Sequence, residues 1–169
     1  MARKDPLPFD PIEEAARQWS KRWSGVEEMR AVTNLMRVQQ LVLGELDEIL
    51  RSYGLTFARY EALVLLTFSR AGALPLGKMG DRLQVHPTSV TSIVDRLEGS
   101  GHVVRRRHPT DGRTVLAEIT ASGRAVVESA TEALVAADFG LGDLDPTQLR
   151  ALSQLLTPLR EAAGDFAND

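Results

Sequence analysis

Cysteine is absent from the 169 residues. No disulfide framework, thiolate zinc site or thiol-based oxidant sensor can therefore be built from this chain. Histidine is scarce, and His86, His102 and His108 lack the i, i+4 spacing of a helical metal pair. No G-x-S-x-G, phosphate loop or catalytic dyad accompanies them, so the expectation is a non-enzyme with no cofactor and no metal. Lysine is nearly missing, at three against 17 arginines, which reads as codon bias rather than physics. No apolar run approaches the ~18 residues of a membrane span, and "MARKDPLPFDP" has no apolar stretch after its charges as a secretory leader would. The expected setting is cytoplasmic, with no membrane partner.

What is present is a charge imbalance. The net charge is −3, yet residues 77–113 hold seven basic side chains (Lys78, Arg82, Arg96, Arg105, Arg106, Arg107, Arg113) against Asp81, Asp95, Glu98 and Asp111. That segment is a local +3 within an acidic chain. Binding to a polyanion responds to the local patch rather than the total.

The first dozen residues, with Pro6, Pro8 and Pro11, read as an extended arm leading into a short helix. Asp10 is its expected N-cap and Pro11 its first residue, with Ile12, Ala15, Ala16, Trp19 and Trp23 on one stripe. A long helical beat follows from Val26 to about Ser52, ended by Gly54. Thr56 is a candidate cap for the next helix, through Phe57, Tyr60 and Phe68. "LPLGKMGDRLQV" and "HPTSVTSIVDRLEGSG" supply two short helices. The period then changes: "HVVRRR" and "TVLAEIT" flank "HPTDG", a β-hairpin. Helix returns at Ser122 and runs to about Phe139, and a last helix, capped by Asp145, carries Leu149, Leu152, Leu155, Leu156 and Leu159 as a seam.

Two short helices joined by a tight turn and followed by a basic hairpin describe a winged helix-turn-helix in a mainly α chain. The second helix of such a pair enters the DNA major groove. Its expected outward face is Thr88, Ser89, Thr91 and Ser92, with Arg96 further along; Val90, Ile93, Val94 and Leu97 face inward. Thr88 and Ser89 serve equally the plainer role of helix caps. The hairpin tip is narrow enough for a minor groove, where Arg113 is expected, oriented by a salt bridge from Asp111. Arg105, Arg106 and Arg107 alternate along a strand, so at most two face DNA, taken as Arg105 and Arg107 against phosphate. His108 lies beside them.

The segment "LGKMGDRLQVHPTSVTSIVDRLEGSGHVVRRRHPTDGRTVLAEITASGR" resembles the DNA-binding core of the MarR family of bacterial transcription regulators. The likeness rests on the "VTSIVDRLEGSGHV" helix exit, the D-x-R wing (Asp111, Arg113) and "ITASG", and in layout extends from about Val26 to Arg160. It implies an intertwined homodimer. Residues 26–54 and 122–163 would form the dimerisation region, residues 55–121 the DNA-binding domain and residues 1–25 an arm with an extra helix. It also implies a near-palindromic operator with half-site centres ~10 bp apart and repression relieved by a small molecule. The extra helix is similar to that of the family's urate-responsive branch, which uses a Trp, an acidic residue and a recognition-helix Arg. Trp19 or Trp23 and Glu61 match the first two, whereas the third position is Ser92, a departure that counts against urate. The tryptophans could equally lock the extension onto the dimer by packing; an aromatic or anionic effector is the class left open.

The rival to double-stranded DNA binding is a winged helix used for protein or RNA contacts, without steep salt dependence on duplex DNA.

Overall fold

The computed structural model describes residues 6–167. Part of the expected N-terminal arm, residues 1–5, lies outside the described residues. The first helix, α1 (Pro11–Trp19), begins as the sequence predicts. Asp10 Oδ1 accepts the Ile12 N–H at 2.8 Å, and proline at the first position has no N–H to satisfy. Ile12 and Ala16 pack α1 onto α2 (Val26–Arg51), and Glu13 meets Arg30 Nε at 2.9 Å. The expected stripe is only half realised. Ala15 faces solvent, and Trp23 lies beyond the helix end, 59% exposed.

Helix α3 (Phe57–Thr67) follows a turn at Gly54. Thr56 is its N-cap residue, but the cap is made from elsewhere: Asp47 Oδ1 on α2 accepts the Phe57 N–H at 2.7 Å. A short strand, β1 (Ala73–Pro75), precedes α4 (Leu76–Leu83) and α5 (Pro87–Gly99). β1 has no counterpart in the sequence reading. It pairs antiparallel with β3 (Val115–Ile119), which pairs with β2 (Val103–Arg107), so the expected hairpin is two strands of a three-stranded sheet ordered β1-β3-β2. Three residues are too few for a periodic signal, and the partner strand is forty residues away.

One core joins these parts. Leu46, Leu50 and Leu55 from α2 and its exit, Leu63 and Leu66 from α3, Met79 from α4, and Val90, Val94 and Leu97 from α5 are all buried with Val103, Ala117 and Leu134. Gly80 lets α4 approach α5: a Cβ there would stand 3.3 Å from both the Val85 carbonyl and Val90.

Helix α6 (Ala121–Ala136) is capped by Thr120, whose Oγ1 accepts the Gly123 N–H at 3.0 Å. Gly123 is required by close approach, because a Cβ would collide with the His102 carbonyl oxygen and Ile119. α6 stops short of Phe139. Asp138 and Phe139 take left-handed φ of 49° and 51°, and a 3-10 turn (Asp138–Gly140) breaks the axis. α7 (Pro146–Ala162) opens on a full capping box between Asp145 and Gln148. None of its residues is buried: Leu155 is 73% and Leu159 62% exposed. α2 likewise presents Val32, Leu35, Met36 and Leu41 to solvent. Among the described residues no helix is long and apolar enough to cross a membrane.

Candidate nucleic-acid interface

Helix α5 has two chemically distinct sides. Val90, Val94 and Leu97 are buried, while Thr88, Ser89, Thr91, Ser92 and Arg96 are all exposed. The sequence produces this by placing apolar residues at i, i+4 and i+7 and small hydroxyl residues between them. Gln84, at a left-handed φ of 53°, ends α4 and turns the chain into α5. His86 caps α5: its Nδ1 accepts the Thr88 N–H at 3.3 Å and lies 3.1 Å from the Thr88 hydroxyl. The capping role that the sequence allowed to Thr88 and Ser89 thus falls to His86. Thr91 Oγ1 donates back to the Pro87 carbonyl at 3.1 Å.

The wing projects beside this helix. His108 N–H donates to the Thr114 carbonyl at 3.0 Å, closing the tip. Asp111 fixes the turn by accepting the Thr114 hydroxyl at 2.6 Å and the Arg113 main-chain N–H at 3.1 Å. The Thr114 hydrogen bond, then the Arg113 one, hold the Asp111 carboxyl below the usual carboxylate range. The expected Asp111–Arg113 salt bridge is replaced by this main-chain contact, leaving the Arg113 guanidinium outside the ion pairs among the described residues. A two-residue spacing suits a turn in which a carboxylate reaches the N–H two positions on.

The three consecutive arginines differ in state. Arg106 pairs with Glu118 at 3.3 Å across the sheet. Arg105, expected against phosphate, is held by two carboxylates of α5, Asp95 at 2.6 Å and Glu98. Partial burial opposes its charge, but the Glu98 and Asp95 bonds outweigh that and raise its pKa. Arg107 is exposed and has no such pairing among the described residues. Lys78, absent from the sequence-derived site, lies with His108, Asp111 and Arg113 around a notch of about 700 Å³ between α4 and the wing. Its signal was the charge count of residues 77–113; its position beside the wing is a tertiary fact.

A second cleft, of about 530 Å³, lies between the end of α7 and helices α2, α3 and α4, lined by Leu35, Glu61, Arg82, Leu159 and Arg160. Desolvation raises the Glu61 carboxyl above its ordinary value, although part of the side chain reaches solvent. Trp19 and Trp23 are not on its wall. They pack on each other, ring centroids 4.9 Å apart, and Trp19 Nε1 donates to the Ser24 carbonyl at 2.8 Å. Within one protomer, therefore, neither joins Glu61. No group of three or more His, Asp or Glu side chains among the described residues is arranged to hold a metal ion.

The MarR family model matches residues 58–115, the span from α3 through the wing. Sco5413, a MarR family transcriptional regulator from Streptomyces coelicolor, is 57% identical with a TM-score of 0.80, over 85% of this chain and all of that one. The fold is also that of Sco3205 from the same organism, solved in complex with DNA (24% identity, TM-score 0.73, 83% of this chain and 90% of that one). The HTH-type regulator YhbI of Bacillus subtilis is 31% identical over 126 residues, 71% of this chain and 79% of the relative. The chain spans about half the length, 48%, of a Mycobacterium leprae HTH-type regulator that it matches at 38% identity over 69 residues. With the winged helix-turn-helix in place and these likenesses covering most of its length, the chain belongs to the MarR family of transcription regulators.

Proposed function

We propose that this chain is a cytoplasmic, sequence-specific regulator that binds double-stranded DNA as a homodimer, acting as a ligand-responsive repressor on a near-palindromic operator. The single observation carrying the reading is the exposed hydroxyl face of α5 beside an arginine-tipped wing. Thr88, Ser89, Thr91 and Ser92 enter the major groove, where hydroxyls donate to phosphate or base edges and small side chains permit close approach. Arg113 enters the minor groove, and Arg96, Arg107, His108 and Lys78 face phosphates. Asp111 acts indirectly, by setting the tip. α2, α6 and α7 supply dimer contacts, which accounts for the apolar side chains they leave uncovered. Residues 55–121 form the DNA-binding unit, and residues 26–54 with 122–163 the dimerisation unit.

The cleft at Glu61 is the proposed effector site. Arg82 and Arg160 suit an anion and Leu35 and Leu159 an aromatic or apolar body. Trp19 and Trp23 reach an effector only if the second copy brings them there.

A gel-shift of the chain on its own upstream region across a salt series tests the DNA reading. Lys78, Arg96 and Arg107, the always-charged side chains placed against phosphate and each present twice in a dimer, give a log–log slope approaching about −5 if all engage. A slope near zero, or equal binding to a duplex with scrambled half-sites, refutes the reading. A metabolite panel in the same assay tests the effector.

A further inference from the structure

Arg105 stands apart from its neighbours in the wing. Its side chain is 26% exposed, against 63% for Arg106. Its Nη2 donates to Asp95 Oδ1 at 2.6 Å and its Nη1 to Glu98 Oε2, while its main-chain N–H donates to Glu98 Oε1 at 3.0 Å. A longer contact of 3.5 Å reaches the Thr91 carbonyl. Thr91, Asp95 and Glu98 follow one another at i, i+4 and i+7 on α5, so this one side chain spans two turns of the helix. Among the described residues, every hydrogen bond between residues 103–119 and α5 runs through Arg105.

Two consequences follow from that geometry. The first is mechanical. The sheet is anchored at its inner end by Val103, Ala117 and Ile119, but its outer end, at Arg107 and Val115, is exposed. A planar guanidinium holding two carboxylates fixes direction as well as distance, which a single ammonium does not. The second is electrostatic. Asp95 and Glu98 lie on the helix that carries the hydroxyl face, and without a cation between them they would present two negative charges beside a polyanion. Exposed ion pairs add little to fold stability. What this cluster supplies is a set angle between helix and wing.

We propose that Arg105 is a positioning residue, which locks the wing to the recognition helix so that both grooves are read in one register, and is not a phosphate ligand. The proposal rests on the DNA-binding reading above. Loss of a phosphate ligand weakens all sequences alike, whereas loss of a fixed angle degrades the choice among them.

The test uses the full chain. Selection from a random duplex library with the wild-type protein defines its operator, and the same duplex with scrambled half-sites is the control. Arg105→Lys keeps the charge and removes the fork; the operator-to-scrambled affinity ratio is expected to fall roughly tenfold. Glu98→Gln, a change at an exposed helix position, is expected to lower the ratio as well, and carries the test if Arg105→Lys does not fold. Dimer mass and helix content are measured for both. A wild-type ratio in Arg105→Lys, or in Glu98→Gln, overturns the proposal. Failure of the wild-type chain to select any duplex overturns the DNA-binding reading instead.

Discussion

Leu155→Ala is the substitution that asks most directly why α7 exists. Leu155 is 73% exposed in the protomer, and α7 buries none of its residues within its own chain. Burying a leucine side chain fully is worth about 1.5–3 kcal/mol relative to leaving it in water. At 73% exposure, roughly 1–2 kcal/mol of that remains for a second copy to supply. A two-fold interface contains the residue twice, so truncation costs about 2–4 kcal/mol per dimer, a rise in dimer Kd of between about 30-fold and several hundred-fold. Sedimentation equilibrium over a concentration series reads this directly. Alanine is the better helix former and Leu155 makes no buried contact at home, so the helix content should not fall. An unchanged dimer Kd would remove α7 from the interface; a wild-type chain that stays monomeric would refute the reasoning altogether.

The remaining perturbations address the core, the tip and the helix face. Gly123→Ala should lower stability by about 1–3 kcal/mol in a denaturant melt, since the new Cβ meets the His102 carbonyl, which is main chain and cannot rotate away. Arg113→Ala should weaken duplex binding by about 1–3 kcal/mol with the dimer intact, and unchanged affinity would exclude the wing tip from recognition. Ser92→Glu should abolish sequence-selective binding without dissociating the dimer, because Ser92 is exposed; loss of the dimer would mean that this face is an internal contact. The depressed Asp111 carboxyl makes the tip acid-sensitive in one direction only. Its contribution is complete above the unfolded Asp value of ~3.9 and is lost as pH falls through the lower folded value. The amide resonances of Arg113 and Thr114 should shift in that acid window, and a transition centred above it would contradict the assigned hydrogen bonds.

Helix starts were the most legible part of the chain. Asp10–Pro11 and Asp145–Pro146 each act within three residues, so their hydrogen bonds are encoded where they are made. The inward face of α5 was legible for the same reason, because Val90, Val94 and Leu97 keep helical spacing whatever surrounds them. The Asp47 cap on α3, ten residues from its N–H, had no local signature, nor did the three-residue strand β1.

At the interface the division is sharper. The sequence by itself determined that a basic, hydroxyl-rich segment forms a helix and a wing, since periodicity and turn chemistry are local properties of the backbone. Only the tertiary structure decided which cations are available to a ligand. Arg105, Arg106 and Arg107 are identical in type and adjacent in sequence, yet one is held by Asp95 and Glu98, one by Glu118, and one is exposed without such a pairing among the described residues. A side chain's charge is written in its residue type, but whether that charge is already neutralised depends on which acids the fold carries to within a few ångströms of it.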